Sequence, residues 1–373
     1  MKNTSLENTL FDNSEKLIDP DFKQIRIYFY KNVNRQLIPI ADKDLNLQAK
    51  IKLIEIRKSE KYISLPKRFK DNWDNVSLYH PNGEILKANS ILLDPLDGAY
   101  NLDNKLNHLT GKEWIKFTKS WFVFDAISSD LKEEKEITSK AGLNSEEHPA
   151  TYSPTMMSEF ISFFTKEGET VLDPFNGIGS TLVGCDRTNR KGIGIELNSK
   201  YIKISKLRTK QLLIRGNSLE ISKLLQKHKI NKIDFSISSP PYWNILHRST
   251  SKFEKIRNKK NLDVKYSKDN NKDIGNIDEY DIFMQKLSDI YLQIYDYLKL
   301  GGYLVVIIKN VKKDGKHYPL AWDLTNLLKS KYSLKDEKIW CQDKVGLAPF
   351  GYPFSWTSNI VHHYCLIFRK DLI

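Results

Sequence analysis

Two stretches hold the residues whose types and spacing suit chemistry. Ser239-Pro240-Pro241-Tyr242 closes "DFSISSPPYWN" at the end of an alternating apolar run. The prolines remove backbone donors and fix φ, so a strand stops there and the atoms beyond it are held in a stiff, extended turn. The Ser239 hydroxyl and carbonyl on such a turn offer acceptors to an amino group, while Tyr242 and Trp243 offer flat faces to a planar ring. The same residues also fit a proline stop on an edge strand followed by two core aromatics. The second stretch, "LDPFNGIGST", spaces Gly177 and Gly179 as G-x-G where a strand gives way to a helix. Glycines there let a ligand approach the backbone at a positive helix start, although a tight turn without a ligand uses them equally well. Glu196 ends "GIGIE" about 20 residues on, where a carboxylate can accept both hydroxyls of a ribose.

The missing pieces narrow the ligand. There is no third glycine at the dinucleotide spacing and no G-x-x-x-x-G-K-[ST], so neither a pyrophosphate nor a triphosphate finds its cradle. Asp173, at the strand end, repels a phosphate but accepts a bond from a cationic amino-acid group. S-adenosylmethionine carries that group together with a ribose.

The elements that must position these residues follow from periodicity. From about His148 the sequence predicts helix over "SPTMMSEFISFFT", strand over "TVLDPF", helix over "STLVGCDRTN" and strand over "KGIGIE". It then predicts helix over "LEISKLLQKH", strand over "DFSISS", a long amphipathic helix over "YDIFMQKLSDIYLQIYDYL", strand over "GGYLVVIIK" and helix over "AWDLTNLLKSK". Strands alternating with helices imply parallel βαβ units whose ligands bind beyond the carboxyl ends of the strands. "VHHYCLIFRK" is a final strand late enough to insert antiparallel, with His362 and His363 structural and on alternate faces.

Before residue 115 the chain differs. "IRIYFY", "IKLIEI" and "VSLYH" are β-prone pieces between turn signals and suggest a small mixed or β-rich unit. "TGKEWIKFTKSWF" has helical spacing, with Trp114, Phe117 and Trp121 on one face as a core stripe. The charged "SSDLKEEKEITSKAGLNSEEH" that follows suits a linker. "GLAPFGYPFSWTSN" carries Phe350, Tyr352, Phe354 and Trp356 at period two, which reads first as core packing and second as the wall of a base pocket.

Composition sets the class. The 373 residues, 40% of them hydrophobic, are enough for two domains or one large domain with an appendage. No uncharged apolar run is long enough to span a bilayer, and the polar start lacks a secretory segment, so a cytoplasmic protein with no membrane partner is expected. Cys185, Cys341 and Cys365 are too few and too scattered for a zinc cluster or a disulfide framework, so no metal is expected and they read as core residues. A net charge of +13 with a pI near 9.3 points to polyanions, nucleic acid first.

The ordered blocks "HPATYSPTMMSEFISFFTKEGETVLDPFNGIGSTLVGCDRTNRKGIGIELNSKYIKIS", "RGNS", "SSPPYW" and "LKLGGYLVVIIK" resemble the amino-group DNA methyltransferases, which modify cytosine N4 or adenine N6 with S-adenosylmethionine. The resemblance covers roughly residues 145 to 310 and, more weakly, "HHYCLIFRK". It implies a Rossmann-like fold, a mostly parallel sheet with a late antiparallel strand, over 116–373, with a basic insertion at 244–275. Residues 1–115 then form an accessory or target-recognition region. It implies cofactor contacts from Thr151 and Tyr152 on the methionine side, from the loop of Asp173, Phe175, Gly177 and Gly179, from Ser180 and Thr181 at the helix start, and from Glu196 at the ribose. The family's usual Gly-Asp after the third strand is here Gly216-Asn217, whose amide oxygen can still accept from an adenine amino group.

In the same resemblance Ser239 and the Pro240 carbonyl hold the target amino group, Pro241 stiffens the turn, and Tyr242 stacks on a base taken out of duplex DNA. Ser before Pro-Pro-Tyr places cytosine N4 ahead of adenine N6. Carbon-5 methylation needs a thiolate, and no Pro-Cys loop exists. The insertion has nine Lys and Arg against four Asp and Glu. It is read as a DNA contact through Lys255, Arg257, Lys259 and Lys260 beside Trp243, or else as a solvated loop. A site-specific methyltransferase of restriction-modification or phage defence, with a cognate endonuclease as possible partner, is the expected function. The other readings are an adenine-N6 enzyme, an RNA or protein-amino-group methyltransferase on the same fold, and a catalytically silent nucleic-acid-binding subunit.

Overall fold

Phe29 and Leu78 are fully buried, and each anchors a short strand in the first part of the chain. In this computed structural model, residues 27–124, 152–243, 273–342 and 346–371 are described, with positions 130, 132, 136, 138 and 139 between the first two spans. They belong to two units, Met1–Lys116 and Phe117–Ile373. The first is a mixed sheet of β1 (Phe29–Val33), β2 (Gln36–Pro39), β3 (Ser77–His80), β4 (Ser90–Leu92) and β5 (Tyr100–Asn101), ordered β2-β1-β3-β4-β5. Only β1 and β3 pair in parallel.

Helix α1 (Lys43–Arg57) corrects one expectation, because it contains the supposed strand piece "IKLIEI". Its buried residues Asn46, Ala49, Leu53 and Ile56 recur at helical spacing. Asp42 starts it by accepting from the amides of Asp44 and Leu45 at 2.9 and 3.0 Å.

The second unit is built on an eight-stranded sheet. It comprises β6 (Trp121–Val123), β7 (Thr170–Asp173), β8 (Lys191–Glu196), β9 (Leu212–Arg215), β10 (Ile233–Ser238) and β11 (Leu298–Ile308). After the small hairpin β12 (Val311–Lys313) and β13 (Lys316–Tyr318) come β14 (Ser333–Cys341) and β15 (His362–Arg369). The order is β6-β14-β15-β11-β10-β7-β8-β9. β11, β10, β7, β8 and β9 are mutually parallel, whereas β15 runs antiparallel to both β11 and β14, as its late position suggested. The buried run "LVVII" of β11 has the continuous apolar character of a strand covered on both faces.

Helices supply the cover. α2 (Pro154–Phe164), α3 (Ser180–Arg187), α4 (Ser199–Arg208), α5 (Ile221–Lys227), α6 (Tyr280–Tyr297) and α7 (Leu320–Leu328) follow the strands in alternation. Phe164 of α2 packs on Phe235 and Tyr303, with ring centroids 5.3 and 4.8 Å apart. Residues of α5, α6 and α7 share a core with Leu304, Val306 and Ile308, the alternate residues of β11. β8 and β9 lie on one side of β7, and the chain then returns to place β10 on the other. That reversal opens a crevice at the carboxyl ends of β7 and β10.

Two further expectations change. The helix expected through Trp121 ends at Phe117, and Trp121 begins β6, where it is about half exposed. Pairing of Trp121, Phe122 and Val123 with Ile339, Trp340 and Cys341 takes those residues into the sheet, a tertiary gain that overrides helical spacing. Phe350, Tyr352, Phe354 and Trp356 are exposed rather than packed in the core, because Pro349, Gly351 and Pro353 break their stretch into turns. The charged linker stretch and residues 244–272 lie largely or wholly outside the described residues. Cys185 and Cys365 are buried and all three cysteines are free. Among the described residues no helix is long and apolar enough to cross a membrane, and no group of metal-ligating side chains is found.

Candidate active site

The turn after β7 is shaped by its glycines. Gly179 has φ +92°, and a Cβ there would lie 2.2 Å from Ser205 Oγ of α4, so both conformation and space require glycine. Gly177, at φ +53°, donates its amide to Glu196 Oε2 at 2.8 Å. Asn198 donates its own amide to Glu196 Oε1 at 2.7 Å. One carboxylate thus ties the end of β8 to the glycine turn. Each of its oxygens accepts one of these bonds and so retains acceptor capacity, and Glu196 lines the crevice. Burial pushes the Glu196 carboxyl up to about 8, against the two amide bonds that favour its charge and with help from the nearby acids Asp273 and Asp173.

Asp173 is held by a set of internal donors. It is fully buried, and its oxygens accept from Thr181 Oγ1 at 2.6 Å, Tyr152 OH at 3.3 Å and the Phe175 amide at 2.9 Å. Burial raises its carboxyl to about 6. These bonds fix the start of α3 and the Tyr152 ring, and the side chain has no exposed surface. Thr181 and Gly179 likewise stand behind the crevice wall.

On the other side of the crevice, β10 ends at Ser238 and the Ser-Pro-Pro-Tyr turn begins. Ser239 Oγ and Tyr242 OH are 2.7 Å apart, which fixes both side chains. Tyr242 is half-buried, 5.8 Å from the His363 ring, which itself stacks on Trp340 at 4.4 Å. Burial raises the phenols of Tyr152 and Tyr242 above their ordinary value, so both stay protonated at neutral pH. Trp243 is a correction. It is only 3% exposed and packs between Tyr280 and Tyr318, with its indole N–H donated to the Asp278 carbonyl at 3.1 Å. A side chain committed to the core in this way is withheld from DNA.

A cavity of about 870 Å³, including its open mouth, joins the two sides. Tyr152, Phe175, Gly177, Ser180, Glu196, Asn217, Ser239, Pro240 and Pro241 all line it, so the structure brings together nine of the residues singled out from the sequence. Thr151, Lys255, Arg257, Lys259 and Lys260 lie outside the described residues. The sequence reading missed Asn176, Asn198, Tyr201, Asp273 and Ile274, which also line the cavity. Asn198 had a legible signal as the cap of α4, accepting from the Lys200 amide at 2.9 Å. Asp273 and Ile274 end the insertion, where nothing in the sequence marks a return to the sheet.

The described lining contains two carboxylates, Glu196 and Asp273, and no Lys, Arg or His. It suits a neutral or cationic nucleoside better than a phosphate. The fit to S-adenosylmethionine is good: Glu196 suits the ribose, Asn217 and the cavity's apolar side chains suit the adenine, and the carboxylate-rich lining suits the positive charge.

A family model described as DNA methylase matches residues 17–207, just over half the chain. The type II methyltransferase M.HpaI of Haemophilus parainfluenzae is 38% identical over 65 residues, 17% of this chain and 21% of that protein. The type II methyltransferase M.MjaII of Methanocaldococcus jannaschii is 25% identical over 268 residues, 68% of this chain and 46% of that protein. The chain thus spans less than half the length of these two relatives. Among solved structures, a methyltransferase from Pyrococcus furiosus aligns over 66% of this chain and all of its own, with 16% identity and a TM-score of 0.39.

Proposed function

The chain belongs to the amino-group DNA methylases, and from that premise we propose that it methylates the exocyclic N4 of cytosine in double-stranded DNA, site-specifically and with S-adenosylmethionine. The observation that carries this reading is the single cavity reaching from Glu196 and the glycine turn to Ser239-Pro240-Pro241. A nucleoside-binding carboxylate and a rigid pair of acceptors facing one space are what transfer to an amino group requires.

S-adenosylmethionine, when bound, supplies a methyl carbon on a positively charged sulfur. The chain supplies position and polarity. Glu196 keeps a lone pair on each oxygen for the ribose hydroxyls. When the Ser239 O–H donates its hydrogen bond to Tyr242 OH, both lone pairs of Oγ are free to accept from the target amino group. The Pro240 carbonyl takes the second amino hydrogen, and the nitrogen lone pair is then directed into the cavity. Tyr242, which is not among the residues lining the cavity in the free protein, stacks on the extruded base in this reading. Electrostatic help of this kind comes from fixed dipoles that need no reorganisation during the reaction.

The same reading makes 116–373 a Rossmann-like catalytic domain, gives target recognition to residues 1–115, to the 244–275 insertion or to both, and places the protein in the cytoplasm, where a restriction endonuclease of the same specificity could accompany it. Incubation of the full chain with tritiated S-adenosylmethionine and separate pools of duplex DNA, RNA and protein tests it. Label in duplex DNA is expected. Label confined to RNA or protein, or none in any pool, rejects the proposal.

A further inference from the structure

The described part of the connection from β14 to β15, residues 346–361, holds large apolar side chains in solvent. Leu347, Tyr352, Phe354 and Trp356 are 74, 81, 95 and 85% exposed. The loop is nonetheless built. Ala348 and Asn359 exchange two hydrogen bonds across its base, at 3.0 and 2.8 Å. Phe354 and Ser355 both donate to the Gly351 carbonyl, and a Cβ on Gly351 would lie 2.5 Å from the Ser355 oxygen. Lys312 of β12 ties the loop's far end by donating to Thr357 Oγ1 and the Ser358 carbonyl, at 2.5 and 2.6 Å. A turn closed on itself so that its aromatics point outward marks a contact surface, and the ordering cost of that contact is already met.

Its place in the sheet says where. β15 runs antiparallel to β11, with Tyr364 opposite Ile308, and Cys341 of β14 lies opposite His362. The loop therefore leaves the sheet at the edge where the parallel strands end, the edge that carries the Ser-Pro-Pro-Tyr turn. The charge nearby favours one partner. Residues 346–361 contain no Asp or Glu, and residues 309–318 contain four Lys against one Asp. A second copy of this chain would bring the same net charge of +13 and be repelled.

We propose that this loop stacks on the bases of opened DNA, with Phe354 and Trp356 entering the gap that an extruded base leaves in the duplex. Aromatic wedges of this kind stabilise an unstacked step, and every base presents a π-face to them. The proposal rests on the DNA-methylase reading for the identity of its partner.

Fluorescence anisotropy of the full chain with a fully paired duplex and with the same duplex carrying one abasic gap tests it. The wild type should prefer the gapped duplex, and Phe354→Ala with Trp356→Ala should remove roughly ten-fold of that preference. Trp356→Phe should restore most of the part lost at that position. Affinity for S-adenosylmethionine should be unchanged, since neither side chain touches the cavity. Equal affinity of the wild type for the two duplexes overturns the proposal, as does a preference that survives both substitutions. A wild-type dimer that the substitutions convert to monomer also overturns it, by assigning the surface to self-association. Preference for gapped DNA without any methyl transfer would leave the loop's role standing and reject the enzymatic reading, and transfer with no loop effect would do the reverse.

Discussion

Glu196 is where the cofactor assignment can be tested by pH. Its carboxyl is pushed up to about 8 by burial, while ribose hydroxyls and a nearby positive charge both favour the ionised form. Ligand binding should therefore release a proton below pH 8. Affinity should rise with pH up to about 8 and level off above it, and Glu196→Gln should bind weakly and lose the pH dependence. Calorimetry across that range would show it, and a pH-independent wild-type affinity would contradict the assignment. The free protein behaves in the opposite sense. A folded-state value above the ordinary 4.5 means that the Glu196 contribution to stability is complete below about 4.5 and is lost as pH rises toward 8. Asp173 adds a change of the same sign between 3.8 and about 6.

At the scale of elements, Trp243 separates a core role from a surface role. Its ring lies 4.8 Å from Tyr318 and beneath the Lys313 ammonium at 4.1 Å, and its backbone sits at φ +54°, a left-handed position that its packing must hold. Trp243→Ala should destabilise the protein by about 3 to 5 kcal/mol, measured by urea unfolding. A variant of wild-type stability that binds DNA less well would return Trp243 to the surface.

The elements that carry the site were legible because their signals are local. The β7 strand, the glycine turn, Glu196 at the end of β8 and the proline stop after β10 each announce themselves within a few residues. β14 was missed because "SLKDEKIWC" is charged through Lys335, Asp336 and Glu337, and the strand is recognisable only from its pairing with β15 and β6. The internal bonds of Asp173 were hidden for a related reason. Position at a strand end indicates proximity to the crevice, but only the three donors around its carboxylate show how it is held.

At the scale of the whole molecule, the excess positive charge sets the expected response to salt. If Lys255, Arg257, Lys259 and Lys260 contact phosphates, replacing all four with Ala should reduce the slope of log affinity against log salt by about 3 to 4. Titrations at several salt concentrations measure it, and an unchanged slope would return the insertion to a solvated loop. In the proposed reading, the charge accounts for attraction to DNA in general. In that reading the choice of base belongs instead to the few atoms around Ser239.

Nucleoside mass spectrometry of duplex DNA methylated by the wild type and by Ser239→Ala tests the central claim most directly. The account predicts N4-methylcytosine from the wild type. It predicts a large loss of turnover in the variant with fold and S-adenosylmethionine affinity retained, since only the alignment of the amino group is touched. N6-methyladenine would reverse the base while keeping the chemistry. Wild-type turnover from Ser239→Ala would contradict the account, because the Ser-Pro-Pro-Tyr turn would then not be where the amino group is held.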